Sequence, residues 1–364
     1  MHDKQLDSLR AFAVASVFYT HMVDDSTPFG TWGVRLFFVL SGFLITRILI
    51  EAKPETGADA GQPLFAFYAR RALRILPAYF AALGLMAIVF WSDVRTSLPW
   101  HVFFASNIWF SLRDAWEPWF FAHLWSLSVE EQFYLIWPLL MILSPSRALA
   151  SVCLGGMALS VVFRLIWPSQ DGEMTGSLLL PAALDALGAG ALLAVCRLQG
   201  VALPRWAPWV MAGVGAVSLV IMTSDPEALD ILGPRAGWIA SSALPLLLFV
   251  PLIGGASKGF GGIGGVILEL APLRWLGRIS YGLYLYHMPV LALAIALAHR
   301  HLIPHALIEP GLLRLAAVGG ATTLVATLSW LLMERPINGL KRYFSYRPPS
   351  GSLITRAPQT QAAG

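Results

Sequence analysis

WGVRLFFVLSGFLITRILI, residues 32–50, carries only two charged side chains, Arg35 and Arg47, across its whole length. A run of that length and apolarity can cross the roughly 30 Å hydrocarbon core of a bilayer as a helix, and it is far too long for an ordinary buried strand. Working outward, similar runs recur at about 6–23, 75–92, 124–143, 148–166, 178–196, 206–223, 236–254, 279–298 and 312–333. The chain of 364 residues is 57% hydrophobic and 13% charged, whereas a soluble domain carries roughly a quarter charged residues. A soluble fold could not cover that much apolar surface. The expected fold is therefore an all-α membrane protein, a bundle of about ten transmembrane helices forming one domain over residues 1–346.

Between these runs, residues 101–112 are apolar but too short to cross, and read as a re-entrant or interfacial segment. Residues 52–63 are polar and glycine-rich, as in a flexible loop. The tail 347–364 has no apolar period and is expected to be disordered. The opening MHDKQLDSLRAF has acidic residues and no small-residue cleavage site, so the first run is expected to be retained as a span.

The net charge of +4 would suggest nucleic acid in a soluble protein, but here topology accounts for it, and no nucleic-acid partner is expected. With the N-terminus in the cytoplasm and every run crossing, most of the 25 Lys and Arg fall inside. Only Arg35, Arg95, Arg113, Arg164, Arg235, Arg300 and Arg314 fall outside, which is the positive-inside bias. Acids collect in the outward loops: Asp24 and Asp25, Asp93, Asp114 and Glu117, Asp171 and Glu173, Asp225, Glu227 and Asp230. Both termini are expected in the cytoplasm. Cys153 and Cys196 lie in apolar runs without disulfide or metal-ligand spacing, and H-x-x-x-H, C-x-x-C and phosphate-loop patterns are absent. No metal is expected, although His299, Arg300, His301 and His305 form a small exposed cluster.

An ionisable side chain at membrane depth costs at least about 2.5 kcal/mol on insertion scales, so each one asks for a function or a partner. Arg10 and His21 lie eleven residues apart on the first span, about 20° from three full turns and roughly 16 Å along the axis, so they share a face. His21 is suited to act as a general base near neutral pH; a histidine hydrogen-bonded within a bundle is the plainer account, and a snorkelling cation is the plainer account of Arg10. Ser41 and Gly42, in FFVLSGFL, either let helices pack closely or open space for a substrate. Arg71 and Arg74 are three apart on one helix face. They are either topology anchors or a guanidinium pair able to hold the phosphates of a nucleotide-bearing donor. In HLWSLSVEEQFYLIWP, residues 123–138, Ser128 and Glu131 match a capping box, yet Glu130 and Glu131 remain two carboxylates inside a long apolar helix. Either could orient His21 and stabilise its charged form. Asp185, in LPAALDALGAGALLA, needs a partner, with Arg164 a candidate. SYGLYLYHMPV, residues 280–290, brings Tyr281, Tyr284 and His287, the tyrosines at the spacing of a packed aromatic stripe.

Taken in order, LDSLRAFAVASVFYTH, FFVLSGF, RRALRILPAYF, LWSLSVEEQFYLIWP, the AALDALGAG region, GRISYGLYLYH and the closing ERP resemble the acyltransferase-3 family of membrane-bound O-acyltransferases. The resemblance runs from Leu6 to about Pro336. It implies transfer of an acyl group, commonly acetyl, from cytoplasmic acyl-CoA to a hydroxyl of a carbohydrate or glycolipid at the outer face. The setting implied is a bacterial cytoplasmic membrane, with membrane lipid around the bundle. Position by position, it makes His21 catalytic and Arg10, Arg71 and Arg74 the binding set for acyl-CoA. Glu130 and Glu131 are expected to assist His21, and Ser41, Gly42, Ser128, Asp185, Tyr284 and His287 to line the substrate pocket. The resemblance leaves the acceptor open among lipopolysaccharide sugars, exopolysaccharides, signalling oligosaccharides and antibiotics, with lipopolysaccharide and envelope polysaccharide modification expected. Larger relatives carry an appended extracytoplasmic domain; none is expected here. The competing reading is a proton-coupled transporter or an acyl carrier without acceptor chemistry of its own; a transporter would show two related halves with broken helices, and no such repeat is visible.

Overall fold

The computed structural model describes residues 4–54, 60–167, 175–201, 203–225 and 227–346. The tail 347–364, residues 55–59 of the polar loop, and Asp171 and Glu173 lie outside them. Among the described residues all regular structure is helical, with no strand. Each apolar run becomes a helix: α1 (Lys4–Met22), α2 (Phe29–Ala52), α3 (Gly61–Val89), α4 (Leu124–Leu143), α5 (Leu149–Ile166), α6 (Leu180–Leu198) and α7 (Ala207–Ser224), followed by α8 (Pro234–Ala243) and α9 (Leu246–Ala256), then α10 (Ala271–Arg278), α11 (Ser280–His299) and α12 (Leu312–Ser329). The run at 236–254 forms two helices, α8 and α9, that meet at Leu244 and Pro245; proline has no amide hydrogen to continue the first ladder.

Among the described residues eight helical segments are long and apolar enough to cross a membrane by length and composition. The chain is a multi-pass membrane protein. α1 and α4 are not among the eight, because their apolar faces are interrupted by the polar residues of interest here. Both are nonetheless packed into the bundle, with Leu6, Ala13, Val17, Val129 and Phe133 all buried.

α3 starts well before the apolar run at 75–92. Its 29 residues would extend roughly 43 Å, more than a bilayer core needs, so Arg71 and Arg74 ride on a helical extension rather than in a loop. The segment around residues 101–112 does not cross. It folds as short helices Leu98–Val102 and Ser106–Arg113. These are pinned to the bundle where the Tyr79 hydroxyl donates to the His101 carbonyl at 2.7 Å and Asn107 bonds Gln132.

Glycine decides how close two of the helices come. A Cβ on Gly42 would overlap the carbonyl oxygen of Leu187, and one on Gly190 that of Val39, so α2 and α6 cross with their backbones in contact. The far end of α1 is held by α12. The Arg314 guanidinium donates to the carbonyls of His21 at 3.0 Å and Met22 at 2.8 Å, and the Gly311 amide also donates to Met22 at 2.9 Å, so carbonyls at the helix C-terminus find partners.

Candidate functional site

α1, α2, α3, α4 and α11 surround an open cavity with a water-accessible volume of about 90 Å³. One wall is cationic: Arg10 from α1 and Arg71 and Arg74 from α3 all reach it. The i,i+3 spacing on α3 puts both guanidiniums on the face that looks at α4 and α11. Arg10 is held by Asp7 at 2.7 Å, and Arg71 stacks over the Tyr134 ring, 4.8 Å from its centroid. Among the described residues neither Arg71 nor Arg74 forms a salt bridge.

α4 supplies the adjoining wall, with Glu130, Glu131 and Tyr134. Ser41 of α2 donates to Glu130 Oε1 at 2.5 Å and lies 3.0 Å from the Tyr134 hydroxyl. Glu130 is within electrostatic reach of all three arginines.

The other limit of the cavity is Tyr284 on α11, with Phe37 edge-on to its ring at 6.1 Å. The Tyr284 hydroxyl bonds Ser126 Oγ at 2.6 Å and donates to the His123 carbonyl at 3.1 Å. One turn along α11, His287 lies under the same tyrosine, and His21 stacks on it with ring centroids 5.0 Å apart. His21 Nδ1 and His287 Nε2 are 2.9 Å apart. His123 meets His287 edge-on at 4.9 Å and bonds the Leu285 carbonyl through Nε2 at 3.1 Å.

The expected site residues thus divide. Arg10, Arg71, Arg74, Ser41, Glu130, Glu131 and Tyr284 come together around the cavity. His21 and His287 form a pair behind Tyr284, outside its lining. The other three are packed elsewhere. Gly42 is in the α2–α6 crossing. Ser128 is buried, with its hydroxyl donating to the Leu124 carbonyl at 3.0 Å and accepting from the Ser106 amide at 3.2 Å. Asp185 is between Arg35 and Arg164, at 2.7 Å from each. The capping box is also absent, since α4 begins at Leu124 and Ser128 is already a full turn inside it. The expectation that Glu130 or Glu131 holds His21 is not what the hydrogen bonds show: Glu130 bonds Ser41 and the ring partner of His21 is His287. Glu130 comes six residues after the start of α4, roughly 9 Å along its axis, and that places it level with the arginines rather than with the end of α1.

Sequence reasoning did not assign His123 or Tyr134 to the site. His123 is the first residue of the quoted 123–138 motif, and a histidine at the mouth of an apolar helix was the available signal. Tyr134 follows Glu130 at i+4, the spacing at which helical side chains meet.

Comparison with known proteins gives the family. The model of the acyltransferase domain family, acyltransferase-3, matches residues 3–333. The chain belongs to this family. Among similar acyltransferase-3 proteins, the peptidoglycan O-acetyltransferase OatA of Listeria monocytogenes is 30% identical over 367 residues, covering 93% of this chain and 56% of the relative. The putative peptidoglycan O-acetyltransferase YrhL of Bacillus subtilis is 30% identical over 360 residues, covering 91% and 54%. The chain spans about half the length of the curated relatives it matches. No solved structure matches.

Proposed function

We propose that this acyltransferase-3 protein is a membrane O-acetyltransferase that takes an acetyl group from acetyl-CoA, bound through the Arg10–Arg71–Arg74 wall, and passes it to a hydroxyl of an envelope glycan. The observation that carries the reading is the single cavity joining three guanidiniums to Tyr284, whose helix presses His287 against His21. Two of those guanidiniums have no salt bridge among the described residues, and Arg holds phosphate in a bidentate grip. A diphosphate-bearing donor fits that wall, and about 16 Å of α1 separates Arg10 from His21, a span a pantetheine arm can cover.

In this reading His21 takes the proton from the acceptor hydroxyl. The acceptor oxygen then attacks the thioester carbonyl, the C–S bond breaks, and the CoA sulfur leaves with the proton returned by His21. Ser41 and Glu130 orient the wall rather than the base. The arginine end faces the cytoplasm, where the positive-inside bias puts it, and the His21 end faces outward in a bacterial cytoplasmic membrane. Peptidoglycan is the acceptor class supported by the relatives' names, in place of the lipopolysaccharide expected from sequence; membrane lipid surrounds the bundle.

The test is purified protein in lipid vesicles with radiolabelled acetyl-CoA and muropeptide or glycan acceptors. CoA release should be lost in His21→Ala, by roughly 10²–10⁴-fold as for other general bases, and weakened in Arg71→Ala/Arg74→Ala. Wild-type protein that neither binds nor turns over acyl-CoA would overturn the reading and direct the next assay to transport.

A further inference from the structure

Two histidines in contact inside a membrane bundle have to divide their protons, and the atoms around His287 leave one way to do it. His287 Nδ1 lies 2.6 Å from the carbonyl oxygen of Tyr284. A carbonyl only accepts, so Nδ1 carries a hydrogen; a bare nitrogen there would set two lone pairs against each other. In a neutral ring the other nitrogen, Nε2, is then an acceptor. His21 Nδ1, 2.9 Å away, must be the donor. The chain runs from His21 Nδ1–H to His287 Nε2, and from His287 Nδ1–H to the Tyr284 carbonyl. A doubly protonated His287 would reverse the first bond, but His287 is 0% exposed and no carboxylate touches it among the described residues. An unpaired cation in that position carries the full cost of a charge at membrane depth.

We propose that His287 is a positioning residue that fixes the tautomer of His21, holding its proton on Nδ1 so that Nε2 presents a bare lone pair to the acceptor hydroxyl. This rests on the acyl-transfer reading of His21 and deepens it. The device is the familiar one in which a hydrogen bond to one imidazole nitrogen sets the chemistry of the other, here with a second imidazole in place of a carboxylate. When Nε2 takes the acceptor's proton, His21 becomes an imidazolium whose Nδ1–H still points at an acceptor, so no hydrogen bond has to be broken at that moment. Arg314 completes the placement by binding the His21 carbonyl, and His123 closes the far side of the His287 ring.

The test reads the tautomer without needing turnover. Protein labelled with ¹⁵N-histidine is reconstituted in bilayers and its eight histidines are compared by solid-state NMR with a His21→Ala sample, which identifies the His21 signals. Wild type should show His21 with Nδ1 protonated and Nε2 bare. His287→Leu should lose that single form and lower kcat by about 10²-fold with KM for the donor unchanged. His287→Gln, whose amide oxygen can accept from Nδ1, should keep the tautomer and stay within about tenfold of wild type. Protonated Nε2 in wild type, or a His287→Gln variant as inactive as His287→Leu, would overturn the proposal. Wild type with the expected tautomer and no transfer from any acyl-CoA would overturn the acyltransferase reading while supporting the placement of the proton.

Discussion

Asp185 stands between Arg35 and Arg164 with both guanidiniums at 2.7 Å, and its second oxygen accepts the Ala186 amide at 2.7 Å. Elsewhere in the same bundle Arg71 and Arg74 line an open cavity and form no salt bridge among the described residues. All three residues of the first group are nearly fully buried, at 3–8% exposure; those of the second keep part of their surface open. The triad joins α2, α5 and α6, with Trp238 of α8 stacked on Arg164 at 5.1 Å. Charge of the same chemical kind is closed in one place and left available in the other. Membrane depth makes an ionisable residue notable, and whether its partner is already present separates a structural charge from a binding one.

The largest effect that could break this comparison is on the closed group. Asp185→Leu strands two buried cations and should cost about 3–5 kcal/mol, the usual result of removing one partner of a buried ion pair, measured as a lower unfolding temperature in detergent or as lost folded yield. Arg71→Ala/Arg74→Ala should leave that unfolding temperature nearly unchanged while raising KM for the acyl donor about 100-fold, equivalent to about 2.7 kcal/mol of binding. Equal loss of stability in the two variants would mean that the open group is structural too.

Smaller effects sharpen the boundary. Gly42→Ala puts a methyl group into the backbone of α6 and should destabilise by about 1–3 kcal/mol, with no donor effect beyond the loss of folded protein. Because Gly190 serves the same crossing, the Gly42→Ala/Gly190→Ala double variant should cost less than the two single costs together; simple additivity would show that the glycines act independently. Ser41→Ala, one residue from Gly42 but on the cavity side, should do the opposite. It leaves Glu130 with one hydrogen bond fewer, and should lower turnover by less than about tenfold with unfolding near wild type.

The helices were legible at the level of their existence because hydropathy is a local property, readable wherever some twenty apolar residues follow one another. α3 shows where that signal blurs: Arg70, Arg71 and Arg74 interrupt the apolar run, so the helix begins at Gly61, well before the stretch that hydropathy marks at 75–92. The site was legible in its residue types for the same reason that it is rare, since an arginine, histidine or glutamate inside such a run stands out. Gly42 and Ser41 mark the limit at single-residue resolution. They are adjacent in one motif and open to the same two readings, and they point to different sides of α2, one into a neighbouring backbone and one into the cavity.

Composition and periodicity alone established an all-helical multi-pass protein with ionisable side chains at membrane depth, because the bilayer forces long apolar helices on any chain that crosses it. The ordered motifs carried the family. Tertiary structure alone decided the pairings: Arg35 with Asp185, 150 residues away, and His21 with His287, 266 residues away. The cost of desolvating a polar group requires that it find a partner. Which partner it finds depends on how the helices are arranged around one another, and no window of sequence contains that arrangement.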